Sequence, residues 1–429
     1  MLAITLMLIG LVALLLTGLP IFAGLSLFGG FLLAGEPGGL DAVSDLIFAK
    51  TGMYVLVAIP LFAYMAHIMI RGRIVDDLYT TAHTLTRHLP GGVGIATIVA
   101  CMIFSSISGS SVATALTIGA VAIPQMIRYG YAPKMAYGLV AAGGTLGILI
   151  PPSGPMILYG VATDTSISGL FMAGVLPGFL LSGIFMAYCA FKQWGTPRAE
   201  RASWGEMGRA VRQSAWAIAL PGLVLGGMYA GLFTATEAAA IGAVLALLIA
   251  GLAYRSIGLR EIWQCAIEAS RTSAMLFMIL AGAAVFSYAL TKLMIPQQVV
   301  ALVLELQIGP YGFLLLMMLM LFVLGMFLES IAIILITSPV IMPVMAHLGI
   351  NPIWYGVLLV INLEVAMITP PVGMNLFTIK GVVPSASMGE IIRGAMPFVL
   401  LMTLGMLLVM LFPQIALVLP ESMININAQ

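Results

Sequence analysis

The sequence predicts an all-α polytopic membrane protein built on an inverted repeat, with two re-entrant hairpins and two broken helices. Three observations predict it. Of 429 residues, 62% are hydrophobic and 8% charged, with a mean hydropathy of +1.14, whereas a soluble domain needs roughly 25% charged residues to cover its surface. Two adjacent prolines, Pro151-Pro152, interrupt an apolar helical stretch, and the same pair returns at Pro370-Pro371. Residues 102–180 also map onto 321–399 by a constant shift of 219, without a gap.

The elements follow in chain order. The first 34 residues are apolar and lack the basic start of a cleaved leader. They read as one long helix bent near Gly18-Leu19-Pro20, or as two short spans. A bilayer core of about 30 Å asks for about 20 apolar residues per helix. Stretches of that kind run over 51–70, 134–160, 168–191, 214–232, 234–254, 272–291, 352–380 and 394–412, with prolines interrupting 134–160 and 352–380. The stretches 92–128 and 310–347 are too long for one helix and too short for two. Small or polar residues mark their middles, FSSISGSS (104–111) and LGMFLES (324–330), so each is expected to be two half-length helices turning back inside the membrane. Segments 76–89 and 259–271 mix charged and apolar residues and are expected to lie along the membrane surface.

Basic residues set the orientation. Lys192, Arg198, Arg201, Arg209 and Arg212 share one connection, and Arg255, Arg260 and Arg271 share another. The positive-inside rule puts both in the cytoplasm, with Arg71, Arg73 and Arg87, and leaves 35–50 and 292–309 on the far side. A net charge of +1 gives no field for nucleic acid.

The shift of 219 pairs Pro124 with Pro343, Pro133 with Pro352, and the two diproline pairs with each other, where chance would align fewer than one pair. Gly130 also meets Gly349, Gly154 meets Gly373 and Ser111 meets Ser330. Five spans separate the copies, and an odd number turns the second upside down. The hairpin tips should then approach each other near the midplane. The repeats are expected over 90–191 and 292–412, with 1–89 and 192–291 as scaffold and 413–429 as a C-terminal tail. Thirty methionines without pairing read as flexible packing, and Cys101, Cys189 and Cys265 as buried small hydrophobes.

A proline inside a helix removes the bond to the carbonyl four residues earlier. Pro151 and Pro152 should release the carbonyls of Gly147 and Ile148, and Pro370 and Pro371 those of Ala366 and Met367. An unpaired polar group in hydrocarbon costs several kcal/mol, so such a break needs another partner. A small hard cation supplies one, and all-oxygen neutral donors suit sodium. Two Na+ sites are expected, one from Ser105, Ser106, Ser108, Gly147, Ile150 and Ser153. The other draws on Gly325, Ala366, Thr369 and Val372. Ser110, Ser111, Pro152, Glu329, Ser330, Pro371 and Asn375 are the candidate substrate contacts. Glu364 and Glu329 are acids at membrane depth, a setting that marks function, whereas Glu237 reads as a first-turn partner of its helix dipole.

FSSISGSSVAT (104–114), GILIPPSGPMILYG (147–160), TATEAAAIGA (234–243) and NLEVAMITPPVGMNLF (362–377) resemble the large membrane subunit of tripartite ATP-independent periplasmic (TRAP) transporters over essentially the whole chain. The resemblance implies an elevator-type fold like that of the ion transporter superfamily. It implies a sodium-driven importer of organic acid anions, such as C4-dicarboxylates or sialic acid, in the bacterial inner membrane. It also implies two partners, a small four-helix membrane subunit and a periplasmic substrate-binding protein. Gly154, where the family often has a bulkier residue, and Ala366, where it often has glycine, depart from the pattern. A stand-alone symporter or efflux pump of the same architecture is the rival reading. An intramembrane enzyme is disfavoured, because all five aspartates lie in connections or at span ends and there is no HExxH.

Overall fold

The computed structural model describes residues 10–427 apart from 12, 16, 75 and 196–199, so Arg198 lies outside it. The chain breaks at Gly18 (φ +85°) and restarts after Pro20 as α1 (Ile21–Ala34). Helical residues lie on both sides of that break. Leu15 packs where a side chain on Gly24 would stand, so the two pieces fold against each other. Then come α2 (Val43–Thr51), α3 (Ala58–Arg71) and the amphipathic helix α4 (Asp76–Thr86).

The first hairpin is α5 (Gly92–Ser108) and α6 (Ser111–Arg128), followed by the broken helix α7 (Pro133–Leu149) and α8 (Gly154–Thr163), and then α9 (Ile167–Lys192). The halves α7 and α8 meet at 40°. A connecting region follows, with α10 (Trp204–Gln213), α11 (Ala215–Tyr229) and α12 (Ala235–Leu248). The second copy comprises α13 (Leu259–Lys292), α14 (Ile295–Glu305), the hairpin α15 (Pro310–Gly325) and α16 (Ser330–Leu348), the broken helix α17 (Pro352–Met367) and α18 (Met374–Val382), and α19 (Met388–Leu411). Among the described residues, seven helices are long and apolar enough to cross a membrane, eight if the bent pair counts as one span.

Four expectations change. Residues 259–271 are not a separate surface helix; they continue into the following span as one 34-residue helix. No proline or glycine pair interrupts them, and Glu268, on the charged stretch, is held against α3 instead of water. The guanidinium of Arg71 bonds Gln264 and Glu268, and His67 Nδ1 lies 3.3 Å from Glu268 Oε2. A short helix, α14, fills the stretch expected as a far-side connection. The shift of 219 carries Asp76–Thr86 onto Ile295–Glu305 end to end, so the duplication is longer than the proline pattern indicates.

The hairpin arms are also longer than half a span, at 17 and 18 residues in the first and 16 and 19 in the second. The first turn consumes only Gly109 and Ser110, leaving every other residue to helix. Finally, the stretch expected as a C-terminal tail is helical where it is described. Gln414–Asn427 is a helix, α20, that packs on α9, and Ser422 Oγ lies 3.2 Å from Tyr229 OH.

Local signals explain the boundaries. Pro133 and Pro352 open their helices, where a missing N–H costs nothing, and Asn351 Oδ1 accepts from Ile353 N at 2.8 Å. Thr234 and Glu237 form a reciprocal capping box at the start of α12, the first-turn role expected of Glu237. The two repeats interlock through α7 and α19. A Cβ on Gly138 would sit 1.9 Å from the Gly394 carbonyl oxygen, so backbone meets backbone, as small residues permit in membranes. All three cysteines are buried and free.

Candidate functional site

The site begins with two junctions, each between a hairpin tip and a helix break. In the first, Gly109 turns the chain with φ +58°, and a Cβ there would stand 2.7 Å from the Pro152 carbonyl oxygen. A Cβ on Gly147 would stand 2.7 Å from the Ser110 carbonyl oxygen. The tip therefore lies in the elbow of the broken helix, and only glycine at both positions lets it. Ser110 caps α6 by accepting from Ala113 N at 3.3 Å, and Ser153 caps α8 by accepting from Met156 N at 3.4 Å. Two helix N-termini thus open beside one another, each with further free N–H groups.

The serines divide by role. Ser105 Oγ is buried with no hydrogen-bond partner among the described residues. Ser106 Oγ donates to the Ile103 carbonyl at 2.7 Å, and Ser108 Oγ lies 3.0 Å from Thr114 Oγ1. Hydroxyls that donate in this way keep lone pairs for a cation. Ile150 N donates back to Leu146 O at 2.9 Å, while Pro151 and Pro152 have no N–H to offer the carbonyls of Gly147 and Ile148. The hairpin arm thus carries an orphaned hydroxyl and the break carries carbonyls without helical donors, oxygens of the kind that fit a small hard cation.

In the second junction Gly325 abuts α17, and a Cβ on it would lie 2.7 Å from Ala366 Cβ. The expectation that both released carbonyls stay unpaired does not hold here. Thr369 N donates to Ala366 O at 3.0 Å, because the last turn of α17 tightens to i→i+3 bonds. Thr369 Oγ1 donates to Val365 O at 2.7 Å. Val372 is 38% exposed and Pro371 is also exposed, whereas Pro152 and Ser153 are buried. The prolyl bonds Pro151-Pro152 and Pro370-Pro371 are both cis.

Between the junctions, Ser111 Oγ donates to the buried carboxylate of Glu364, at 3.0 and 2.9 Å from its two oxygens. Ser111 and Ser330, equivalent under the repeat, both reach Met367 Sδ, at 3.9 and 3.7 Å. Asn375 Nδ2 donates to the Ala141 carbonyl at 3.2 Å, and its Oδ1 is buried without a partner among the described residues. Glu364, Ser111 and Asn375 thus join the two copies.

A cavity of about 260 Å³ opens beside the first junction. Ser108, Ser110, Pro152, Ser153 and Glu329 line it, so hairpin tips from both copies face one space. Of the candidate substrate contacts, Ser110, Pro152 and Glu329 lie on this cavity, whereas Ser111, Ser330, Pro371 and Asn375 lie off its walls. Ile59 and Phe62 of α3 and Thr272 and Met275 of α13 line it as well. Sequence reasoning passed over these four, since isolated residues on a spanning helix carry no motif.

Comparison with known proteins agrees with this architecture. The family model described as "Tripartite ATP-independent periplasmic transporter, DctM component" matches residues 8–415. A C4-dicarboxylate TRAP transporter large permease protein of Pseudomonas aeruginosa is 38% identical over 392 residues, covering 91% of this chain and 92% of its own. One from Rhodobacter capsulatus is 35% identical over 429 residues, covering 96% and 97%. Other relatives are named for isethionate (a DctMQ permease), ectoine, 2,3-diketo-L-gulonate and sialic acid. The YdaH transporter of Alcanivorax borkumensis shares the fold, with TM-score 0.66, 14% identity and coverage of 94% and 96%. An inverted pair of hairpins and broken helices, matched from residue 8 to residue 415, makes this chain a transporter and not an enzyme; it belongs to the TRAP transporter family, as the DctM component, the large permease.

Proposed function

We propose that this chain is the sodium-coupled membrane component of an importer for small organic acid anions of the C4-dicarboxylate or sialic acid type, working by an elevator motion in the bacterial inner membrane. The observation that carries the reading is the first junction, where a glycine-tight tip meets a proline-released helix end and the hairpin arm that leads to it holds the unpartnered Ser105 hydroxyl. Na+ is cargo here. Ser105, Ser106, Ser108 and Ser153, with the backbone at Gly147 and Ile150, form its first neutral oxygen set. Gly325, Ala366, Thr369 and Val372 form the second.

The anion occupies the cavity between Ser108, Ser110 and the N-terminus of α8, where free N–H groups and the helix dipole favour a carboxylate. A cation held next to it adds attraction, so each binds more tightly in the presence of the other. The hairpins and broken helices carry the pair as a body, and α3 and α13, braced by Arg71 and Glu268, form the wall they move along. Substrate arrives from a periplasmic binding protein, and a small four-helix subunit completes the membrane complex. The DctMQ name of the isethionate relative, of whose length this chain covers 64%, supports a second membrane part joined to this one.

Reconstitution tests the reading. The chain, the small subunit and the binding protein are placed in liposomes with an imposed sodium gradient, and uptake of labelled succinate, sialic acid and ectoine is followed. Uptake is expected only with both the gradient and the binding protein. Uptake by this chain alone turns the reading to a stand-alone symporter, and gradient-independent uptake removes the sodium coupling.

A further inference from the structure

A second cavity, of about 290 Å³, lies away from the candidate substrate cavity and shares none of its walls. Its lining is wholly apolar. Leu11, Leu15, Phe286 and Leu290 line one part, and Ile295 and Val299 of the short helix α14 another. Phe313 and Met317 of α15 with Ile333 and Ile336 of α16 line a third. Thr337 is the one hydroxyl on the wall, and it already donates to Ile333 O at 2.7 Å. Water has no partner there, and a water in a pocket needs two to four. Left empty, the walls forfeit dispersion contacts along their whole length. The volume is close to that of ligand sites, which start at roughly 300 Å³.

The mouth identifies the occupant. Met320 lies on the rim and is 38% exposed. The same helix continues outward as Leu315, Leu316, Leu319 and Val323, all exposed. On an apolar hairpin arm embedded in the membrane such a face meets hydrocarbon, so the medium at the mouth is lipid tails. We propose that this cavity is a binding site for one acyl chain of a membrane phospholipid, wedged between α14 and the second hairpin. The chain enters past Met320 and lies against Phe313, Met317 and Ile336, replacing the lost contacts without hydrogen bonds. Leu324 and Leu328, which flank the tip at Gly325, are also on its wall, so the lipid braces the hairpin that bears Glu329. This site depends on the membrane setting alone and stands or falls apart from sodium coupling.

Photolabelling in membranes that carry the assembled complex tests it. A phosphatidylethanolamine with a diazirine in mid-acyl chain is incorporated, illuminated, and the crosslinked peptides are mapped. Labels are expected on buried Phe313, Met317 and Ile336 as well as on the exposed Leu316 and Leu319. The filling variants Ile336→Phe and Val340→Phe, introduced singly, are expected to lose the buried labels and keep the exposed ones, with unchanged yield of folded protein. Labels confined to the exposed leucines overturn the proposal, since they mean that the cavity is closed or filled by a protein partner. Buried labels that persist in both filling variants overturn it equally, because they place the lipid elsewhere.

Discussion

The two copies of the repeat share a backbone plan and differ in chemistry. The first tip is rich in hydroxyls, its break is buried, and both N-termini at the junction are capped by serine. The second tip places Leu324, Gly325, Phe327 and Glu329 where the first has Ser105, Ser106, Ser108 and Ser110. Its α16 and α18 begin without a side-chain cap bond, and its break is partly exposed at Pro371 and Val372. Duplication thus preserves the prolines and the pairs Gly130/Gly349 and Gly154/Gly373, whereas the close-approach Gly109 and Gly147 become Leu328 and Ala366, and the coordinating side chains are freed as well. The first junction is built as a closed binding elbow and the second as a looser, more accessible one.

The largest break in that comparison should come from Gly147. Gly147→Ala drives a Cβ into the Ser110 backbone, and such overpacking costs about 1–3 kcal/mol. Uptake in reconstituted liposomes should fall by about tenfold or more. Gly154→Ala, where a Cβ meets nothing within 4 Å, should leave uptake unchanged. Equal losses in both would mean that the tight approach is not what matters.

Next in size is Ser105→Ala. Losing one ligand should weaken the sodium dependence of uptake by about tenfold, corresponding to about 1.4 kcal/mol. Without sodium the variant should melt no lower than the parent, because a buried hydroxyl without a partner costs about 1–3 kcal/mol. Thr369→Val, in the second junction, should shift sodium dependence less, since its hydroxyl is already engaged with Val365. A larger effect at Thr369 would reverse the ranking of the two junctions.

Ser111→Ala probes the bond between copies. It strips Glu364 of its hydroxyl donor, with a cost of about 1–3 kcal/mol read as a lowered melting temperature. Ser330→Ala, whose hydroxyl meets only a sulfur at 3.7 Å, should cost less. The smallest effect is at the surface, outside the repeats. The Ser203 backbone N–H holds the Glu206 carboxyl below its ordinary value. A depressed carboxylate contributes stability above the free glutamate value of about 4.3, and that contribution fades as pH falls through the lower folded value. Glu206→Gln should flatten this part of a melting curve against pH.

Much of this was legible in advance because prolines and charges are strong punctuation. The diprolines marked both breaks, the serine-rich FSSISGSS marked the first turn, and basic clusters marked connections. What stayed hidden lacks such marks. The helix Ile295–Glu305 has a single charged residue, so its stretch reads as a far-side connection. The continuity of Leu259–Lys292 was masked by a change of composition that does not break the helix. Phe62 and Thr272 belong to the cavity only through the way α3 and α13 face the hairpins, a tertiary fact. The pairing of Ala366 O with Thr369 N depends on a local tightening that residue spacing does not encode.

The 34 residues of α13 have one more consequence. At 1.5 Å per residue they extend about 51 Å, against a hydrocarbon core of about 30 Å. A rod of that length cannot stand upright within the core alone; it must lean, or project its charged first turns beyond the headgroups. Thickening or thinning of the surrounding bilayer is then absorbed as a change of inclination at modest cost. The host membrane's thickness becomes a mechanical input to the wall that Thr272 and Met275 present to the cavity.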